Sequence, residues 1–356
     1  MLFVLLSCHR DIISEQSWNW KTVDPHVHSS LGSNDTDGQG TPDVITQAME
    51  QADLDFIFLT DHSNSLGSMS CDDVEDCPNQ GPELTVGIWQ ESVIRAAEIS
   101  PRAEEDELHE PTGHIGCIPK VRGEWQTEAF VDRPFGSVLA KDVIEQCRAA
   151  NGWVILNHPF GPTPWVAFDH SHDDFDAIEV FNGGAGFDAS DLQAIEFWEE
   201  GIQNNKRWIP VGGSDCHRWG TPAPGGLFDS ALGWPKTDVR VTDGNSIEQD
   251  FFSGRVIVSD PTTSLRYWIE NTKQKVGPGE RIIGPGTLHY VVRTQEENLW
   301  ISIKDETGEN LLHEELHDSM TGHIDVGVGV YWIRVLPSGF GVQARGAAIG
   351  MPIWVD

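Results

Sequence analysis

Three short apolar runs in this chain lead directly to histidine and aspartate side chains, and this pattern restricts the fold more than any other feature. The runs cover residues 54–59, 152–156 and 207–211, and they lead to Asp61-His62, to Asn157-His158 and to Asp215-Cys216-His217. Short, almost continuous apolar runs between turn residues are typical of strands buried on both faces of a parallel sheet. In barrel enzymes the chemistry lies at the carboxyl ends of such strands. The pattern therefore predicts an α/β barrel with a polar cluster in its mouth.

Segments with helical periodicity lie between these runs. Thr41-Pro42 predicts a helix start, because threonine caps helices and proline is favoured at the first helical position, and the helix is expected to continue through Met49. Apolar residues also recur at helical spacing over 86–97, 138–149 and 192–202. Strands alternating with helices of this length predict right-handed β-α-β units. We expect residues 21–260 to form the barrel.

The last part of the chain has a different pattern. Short alternating segments at 288–292, 299–303 and 330–335 are separated by turn-rich stretches such as 305–310. Alternation broken by turns is typical of antiparallel strands. We therefore expect residues 261–356 to form a small, all-β, sandwich-like domain.

The N-terminal segment, residues 1–20, starts with an apolar run that ends at Ser7-Cys8. This arrangement predicts the remnant of a lipoprotein signal, membrane attachment through a lipidated Cys8, and export to the bacterial cell envelope. The alternative is an ordinary apolar beginning on a cytoplasmic protein. Cys71 and Cys77 bracket an acidic loop and are expected either to close a small disulfide ring in an oxidising compartment or to remain free thiols.

The charge of the chain excludes one class of partner. Lys and Arg total 23 and Asp and Glu total 56, so that the net charge is −33. A surface of this sign repels the phosphate backbone, and nonspecific binding of nucleic acid is not expected. A small anion can still be attracted locally, because bound metal ions are often the largest charges in a site.

Pairs of ionisable residues at strand ends point to metal binding. In His26-Val27-His28 both imidazoles are expected on one face of a strand, because side chains alternate with a period of two, and the same expectation applies to Asp215 and His217. Buried imidazoles and carboxylates need partners, and a shared cation satisfies several of them at once. A metal cluster therefore explains the pattern better than core packing does.

Several motifs, taken in order, resemble the PHP (polymerase and histidinol phosphatase) family of metal-dependent phosphoesterases, and its CehA/McbA-like branch in particular. The resemblance covers about residues 22–265. The matching motifs are Asp24-Pro-His-Val-His-Ser29, Asp37-Gly-Gln-Gly-Thr-Pro42, Leu59-Thr-Asp-His62, Asn157-His-Pro159, Ile178-Glu-Val-Phe-Asn-Gly183, Gly213-Ser-Asp-Cys-His217 and Gly254-Arg-Val-Ile-Val-Ser-Asp260.

This resemblance implies a distorted seven-stranded (β/α)7 barrel that holds two or three divalent metal ions. It implies His26, His28 and Asp215 as ligands of one ion, and Asp37, His62 and His217 as ligands of another. His158 would bind the remaining ion, which shares a bridging glutamate with the first.

Two positions in this ligand set have competing candidates. For the bridging glutamate we favour Glu98, with His114 as the histidine that follows it, and Glu124 is the alternative. In the first motif the loop before Asp37 is longer than the family pattern, so Asp35 is an alternative to Asp37.

Imidazole and carboxylate ligands together accommodate Zn²⁺, Mn²⁺ or Fe²⁺. The expected reaction is hydrolysis of a small phosphomonoester or phosphodiester by a metal-bridging hydroxide. The residues assigned to catalysis are Asp37, His62, His217 and Arg218. The Arg218 guanidinium would pair with a phosphate, and its alternative role is an ordinary salt bridge.

Three other functions compete with phosphoester hydrolysis. The same site could cleave carboxyl or carbamate esters, or the chain could be a non-catalytic, surface-anchored metal-binding protein. His313-Glu-Glu-Leu-His317 matches the zinc-protease motif, which has meaning only on a helix. We expect a short polar helix or a loop there, at the edge of the β-domain.

Overall fold

The structure is a computed structural model that describes residues 18–33, 35–62, 89–101, 113–122, 139–161, 174–184, 186–219, 230–341 and 344–356. The fold is mixed α/β. The helices are α1 Pro42–Gln51, α2 Ala140–Ala149, α3 Ala189–Gln203 and α4 Ile247–Phe252. None of the described helices has the length and apolar character that crossing a bilayer requires.

Strands dominate the described chain. The first ten are β1 Trp20–Val27, β2 Phe56–Leu59, β3 Val93–Arg95, β4 Ala97–Ile99, β5 His114–Pro119, β6 Gly152–Asn157, β7 Ala177–Asn182, β8 Ile209–Gly213, β9 Lys236–Arg240 and β10 Val256–Ser259. The last ten are β11 Thr263–Glu270, β12 Lys275–Val276, β13 Arg281–Ile282, β14 Gly286–Thr294, β15 Leu299–Lys304, β16 Asn310–Leu316, β17 Met320–Val326, β18 Gly329–Pro337, β19 Ala348–Gly350 and β20 Ile353–Val355.

Three of the four predicted helices correspond to α1, α2 and α3. Thr41 takes the N-cap position of α1 ahead of Pro42, although its side chain makes no capping hydrogen bond. The helix predicted over 86–97 is wrong in its described part, which forms β3 and begins β4. Val93 and Ile94 are buried beside β2, to which β3 is paired in parallel, and β-branched side chains favour such a position.

Two sheets carry the first part of the chain. In the five-stranded sheet the order is β4-β5-β6-β7-β8, with β6, β7 and β8 parallel and β4, β5 and β6 antiparallel. In the larger sheet β1, β2 and β3 are parallel, whereas β9 and β10 run antiparallel to their neighbours. Parallel bridges from Val27 to Cys216 and from His62 to Glu98 connect the two sheets at one end. The closed (β/α)7 barrel stays a prediction.

The larger sheet continues past residue 260. Strand β10 pairs with β19, which pairs with β18, so that strands from both sides of the predicted domain boundary form one eleven-stranded sheet. A separate four-stranded sheet has the order β12-β11-β14-β17. Apolar side chains including Tyr267, Leu288 and Ile333 are buried in a core of this C-terminal part.

The zinc-protease motif lies on a strand. His313 belongs to β16, which pairs with β15, and His317 follows the strand with its side chain 78% exposed. Residues four apart on a strand are separated by roughly 13 Å, too far to bind one ion together. The helix or loop expected at this position is therefore wrong, and the protease function loses the helical setting that it requires.

Cys117 on β5 and Cys147 on α2 form a disulfide whose Cα atoms are 5.8 Å apart. The sequence does not predict this pair, because the two residues are separated by 30 positions and no motif connects them. Cys8, Cys71 and Cys77 lie outside the described residues.

Candidate metal centre

The ends of six strands bring histidine and carboxylate side chains to one place. His26 is near the end of β1, and His28, His62, His158 and His217 follow β1, β2, β6 and β8. Glu98 lies on β4, His114 begins β5, and Asp215 is the second residue after β8. These residues, together with Asp35, are called the histidine cluster below.

Glu98 is the centre of the histidine cluster. Its side chain is buried, and both carboxylate oxygens face imidazole nitrogens. The Glu98 Oε1 atom lies 2.9 Å from His114 Nδ1, 3.2 Å from His26 Nε2 and 3.3 Å from His158 Nε2, and Oε2 lies 3.3 Å from His62 Nδ1 and 3.4 Å from His28 Nε2. Contacts on both oxygens suit a carboxylate that bridges two cations. The alternative, Glu124, lies outside the described residues.

Two aspartates complete the negative charge of the cluster. Asp215 Oδ1 is 3.3 Å from His26 Nε2 and 3.2 Å from His28 Nε2. Asp35 Oδ2 is 3.0 Å from His62 Nε2 and 3.3 Å from His217 Nε2.

Of the two candidates Asp35 and Asp37, Asp35 is the one whose contacts with two cluster histidines are described above. The Asp37 carboxylate accepts hydrogen bonds from the backbone N–H groups of Gln39, at 3.0 Å, and Trp219, at 2.9 Å. It therefore joins the loop after β1 to the segment that follows His217.

The donor set fits divalent cations. Among the residues that the structure describes, three overlapping groups have ligand atoms within 4.8 Å of one another, and they are His28–His62–His217, His26–His28–Glu98–Asp215 and Glu98–His114–His158. Several polar atoms of these residues are buried without a hydrogen-bond partner, namely His26 Nε2, His28 Nε2, His62 Nδ1, His158 Nδ1, His217 Nε2, Glu98 Oε2 and Asp215 Oδ1. Buried polar atoms normally have partners, and a cation would supply one to each of them.

The pKa shifts in the cluster reflect its crowded charges. Burial alone would raise the pKa values of Glu98 and Asp215, but neighbouring imidazoles hold both well below the usual range. Burial would lower the pKa of His217, yet Asp215 and Asp35 raise it to about 9. Burial, together with His217 and His62, lowers the pKa of His28 to about 3. Protons on some imidazoles thus offset the carboxylates, and divalent cations would replace them.

Polar groups behind the cluster orient its imidazoles. His26 Nδ1 donates to Glu179 Oε1 at 3.1 Å, and His217 Nδ1 donates to the Asp215 carbonyl at 2.9 Å. In both rings this leaves Nε2 to face the cluster. Such hydrogen bonds to the far ring nitrogen fix the tautomer of a metal-binding histidine.

A serine performs the same task for His28. The Ser33 hydroxyl donates to Asp61 Oδ1 at 3.0 Å, so it accepts from His28 Nδ1 at 3.2 Å and from the His62 backbone N–H at 3.1 Å. Asp61 also accepts from the Ser29 backbone N–H and hydroxyl. Sequence analysis assigned no role to Ser33, and Asp61 was only part of a motif.

Unusual backbone conformations place two cluster residues. His158 has a φ of 25° and Asp215 a φ of 52°, in the left-handed region that non-glycine residues seldom adopt. Asp215 and His217 therefore reach the cluster through an irregular segment after β8 in which Asp215 has a left-handed backbone conformation. The expectation that they alternate on a strand is wrong in that respect. Strained residues of this kind are concentrated at functional sites.

One side of the cluster is open. Most of its side chains are almost fully buried, but those of Asp35, His217 and Asp215 are 25%, 18% and 15% exposed. Arg218, which the sequence assigned to phosphate binding, directly follows His217 and is exposed. A substrate would approach the cluster from its open side.

Comparisons with known proteins add little to this geometry. No family model matches the chain, and no curated protein matches it. A solved structure from Bifidobacterium adolescentis, described as a "putative metal-dependent phosphoesterase", is 14% identical and covers 59% of this chain and 92% of its own, with a TM-score of 0.35. Similarity at this level carries no argument about function, which has to be inferred from the site itself.

Proposed function

We propose that the histidine cluster binds two or three divalent cations and that the protein is a metal-dependent hydrolase of small phosphomonoesters or phosphodiesters. The observation that carries the proposal is a set of six buried nitrogen and oxygen atoms that face one another in the cluster without a hydrogen-bond partner, on His26, His28, His62, His217, Glu98 and Asp215. Zn²⁺, Mn²⁺ and Fe²⁺ all suit this mixture of imidazole and carboxylate ligands.

The geometry supports a division of the ligands among the cations. His26, His28 and Asp215 would hold one ion, with Glu98 bridging to a second ion held by His114 and His158. His62 and His217, joined by Asp35, would hold a third. When bound, such ions activate water and stabilise the charge that develops on phosphate oxygens.

The protein's own groups then have three tasks. Glu98 would keep the ligands of neighbouring ions together. Hydrogen bonds from the Nδ1 atoms of His26, His28 and His217 to polar groups behind the cluster would leave each Nε2 free to bind an ion. Burial of the cluster on all but one side excludes bulk water, which strengthens electrostatic interactions inside it. The exposed Arg218, next to the ligand His217 in sequence, would pair with a phosphate oxygen through its planar donors.

An assay with defined metals tests the proposal. Protein stripped with a chelator and reloaded with Mn²⁺ or Zn²⁺ is offered aryl phosphomonoesters, aryl phosphodiesters, carboxyl esters and carbamates. We expect phosphoester hydrolysis that disappears on chelation and returns with metal. Cleavage of carbon esters alone would refute the substrate class, and the absence of any bound metal would refute the metal centre.

Glu98→Gln tests the bridging role directly. We expect lower metal content and loss of hydrolysis, because an amide cannot bridge two cations as a carboxylate does. Full metal occupancy in this variant would overturn the assignment and favour Glu124.

We also propose that the protein is exported to the bacterial cell envelope, with Cys8 as its lipid attachment. The disulfide between Cys117 and Cys147 supports export, because structural disulfides persist in oxidising compartments. Mass spectrometry of non-reduced protein from its native host tests this. We expect the disulfide and an acylated Cys8, and free thiols at both Cys117 and Cys147 would contradict the proposal.

A further inference from the structure

Glu179 is a buried carboxylate in the middle of β7, only 1% exposed, and it accepts hydrogen bonds from His26, His158 and Asn182. Its Oε1 atom accepts from His26 Nδ1 at 3.1 Å. Its Oε2 atom accepts from the His158 backbone N–H at 2.8 Å and from Asn182 Nδ2 at 3.1 Å. A buried charge needs such donors, and here two of them belong to candidate metal ligands.

These contacts connect cluster residues that come from three different strands. His26 is on β1, and His158 follows β6. Asn182 Nδ2 also lies 3.4 Å from Asp215 Oδ2, so that Asp215, the second residue after β8, is connected as well. The His158 contact is notable because that backbone has a φ of 25°. A hydrogen bond to its N–H stabilises a conformation that is otherwise unfavourable.

The glycine at 213 permits this arrangement. A Cβ at Gly213 would lie 2.5 Å from His26 Cβ and 3.1 Å from Glu179 Oε1. Only a residue without a side chain therefore allows β8 to pass beneath the His26–Glu179 pair.

We propose that Glu179 is a positioning residue that fixes the Nδ1–H tautomer of His26, and with it the direction in which His26 Nε2 meets a cation, while it holds His158 in its ligating conformation. Glu179 acts from behind the ligands and does not belong to any of the three candidate ligand groups. The inference rests on the proposed metal centre, but it does not depend on which ester the protein cleaves.

The test is Glu179→Gln, which keeps the shape of the side chain. The amide oxygen is expected to take the position with two donors, from His158 and Asn182. The amide NH₂ group then faces His26 Nδ1, which has to become an acceptor, and the ring proton moves to Nε2. We expect Zn²⁺ affinity, measured by competition with a chelator, to fall by about 10–100-fold.

A spectroscopic measurement separates positioning from a loss of structure. In Zn²⁺-loaded protein, long-range ¹H–¹⁵N spectra report which ring nitrogen carries the proton, and His26→Gln identifies the signals of His26. We expect a protonated Nδ1 in the unaltered protein. A protonated Nε2 there would overturn the proposal even if Glu179→Gln failed to fold.

Glu248→Gln is the matched control, since Glu248 is an equally buried glutamate on α4 that pairs with Arg122 outside the cluster. We expect it to leave Zn²⁺ affinity unchanged. Wild-type affinity in Glu179→Gln would refute the positioning role, although the cluster itself could still be a hydrolase. Weakened affinity in a protein that cleaves no ester would instead uphold positioning and refute the proposed reaction.

Discussion

At the scale of single residues, the cluster consists of ligand candidates that sequence can find and supporting groups that it cannot. His26, His28 and His217 were predictable because each lies in a short motif beside a strand-like run. Ser33 was not, because its role depends on contacts with Asp61 and His62, which are distant in sequence. A hydroxyl that donates once and accepts twice carries no signature in the sequence.

Ser33→Ala tests that supporting role. The change removes the acceptor for His28 Nδ1 and for the His62 backbone N–H, and it removes one donor to Asp61. The His28 ring and the loop that carries His62 are then held less firmly. We expect metal affinity to decrease by about 10-fold or more, in line with the effect of outer hydrogen-bond partners on metal sites. Chelator competition measures it, with Ser302→Ala, at a buried serine in β15, as the control. Equal affinities in the two variants would contradict the role of Ser33.

Single substitutions can also decide whether Asp35 or Asp37 is the metal ligand. Because Asp35 contacts His62 and His217, Asp35→Asn is expected to lower metal occupancy at that end of the cluster. The two Asp37 oxygens accept from the backbone N–H groups of Gln39 and Trp219, so Asp37→Asn keeps an acceptor for only one of them; it is expected to change occupancy less than Asp35→Asn does. Metal content per chain, measured by elemental analysis in both variants, distinguishes them. The reverse order of effects would restore Asp37 as the ligand.

At the scale of elements, the strands with strong apolar runs were predictable from the sequence, but strand β3 and the backbone conformation after β8 were not. The runs before His62, His158 and Asp215 all became strands. The described part of segment 86–97 was misassigned because its apolar spacing fits a helix as well as a strand buried between neighbours, and tertiary pairing decides between them. The left-handed conformation of Asp215 has no such pattern, because the local sequence does not specify it.

Helix α4 gives a prediction about stability and pH. Burial alone would raise the pKa of Asp250, but hydrogen bonds from Asn245 and Thr242 and the charge of Arg255 together lower it from 3.8. Because the pKa of Asp250 is lower in the folded than in the unfolded protein, the ionised group stabilises the fold at pH values above its unfolded-state pKa. That contribution is lost as the pH falls through its folded-state pKa.

Asp250→Asn is therefore expected to cost about 1–3 kcal/mol near neutral pH, since the donors lose a charged acceptor. The free energy of unfolding, measured by urea titration from pH 7 down to pH 3, tests this. The difference from the unaltered protein should shrink on the acid side. A difference that stays constant over this range would show that the Asp250 charge does not contribute.

At the scale of the whole molecule, the two predicted parts share both a sheet and a buried ionic cluster. Glu199 on α3 accepts from Lys304 Nζ at 2.8 Å, from Arg334 NH1 at 2.9 Å and from Trp332 Nε1 at 3.0 Å. Lys304 is on β15, and the other two donors are on β18. The change in pattern near residue 260 was visible in the sequence. The pairing of β10 with β19 was not, because it joins residues about ninety positions apart.

This sharing predicts that the described parts unfold together. Glu199→Gln leaves the Lys304 and Arg334 cations partly buried without their countercharge, and breaking such a buried pair typically costs about 3–5 kcal/mol. Because the shared sheet transmits the loss to both parts, calorimetry should show a single transition that moves to lower temperature as a whole. Glu200→Gln, at an exposed position on the same helix, serves as the control and should leave the transition in place. Two transitions, of which only one moved in Glu199→Gln, would mean that residues 21–260 and 261–356 are independent folding units despite their common sheet.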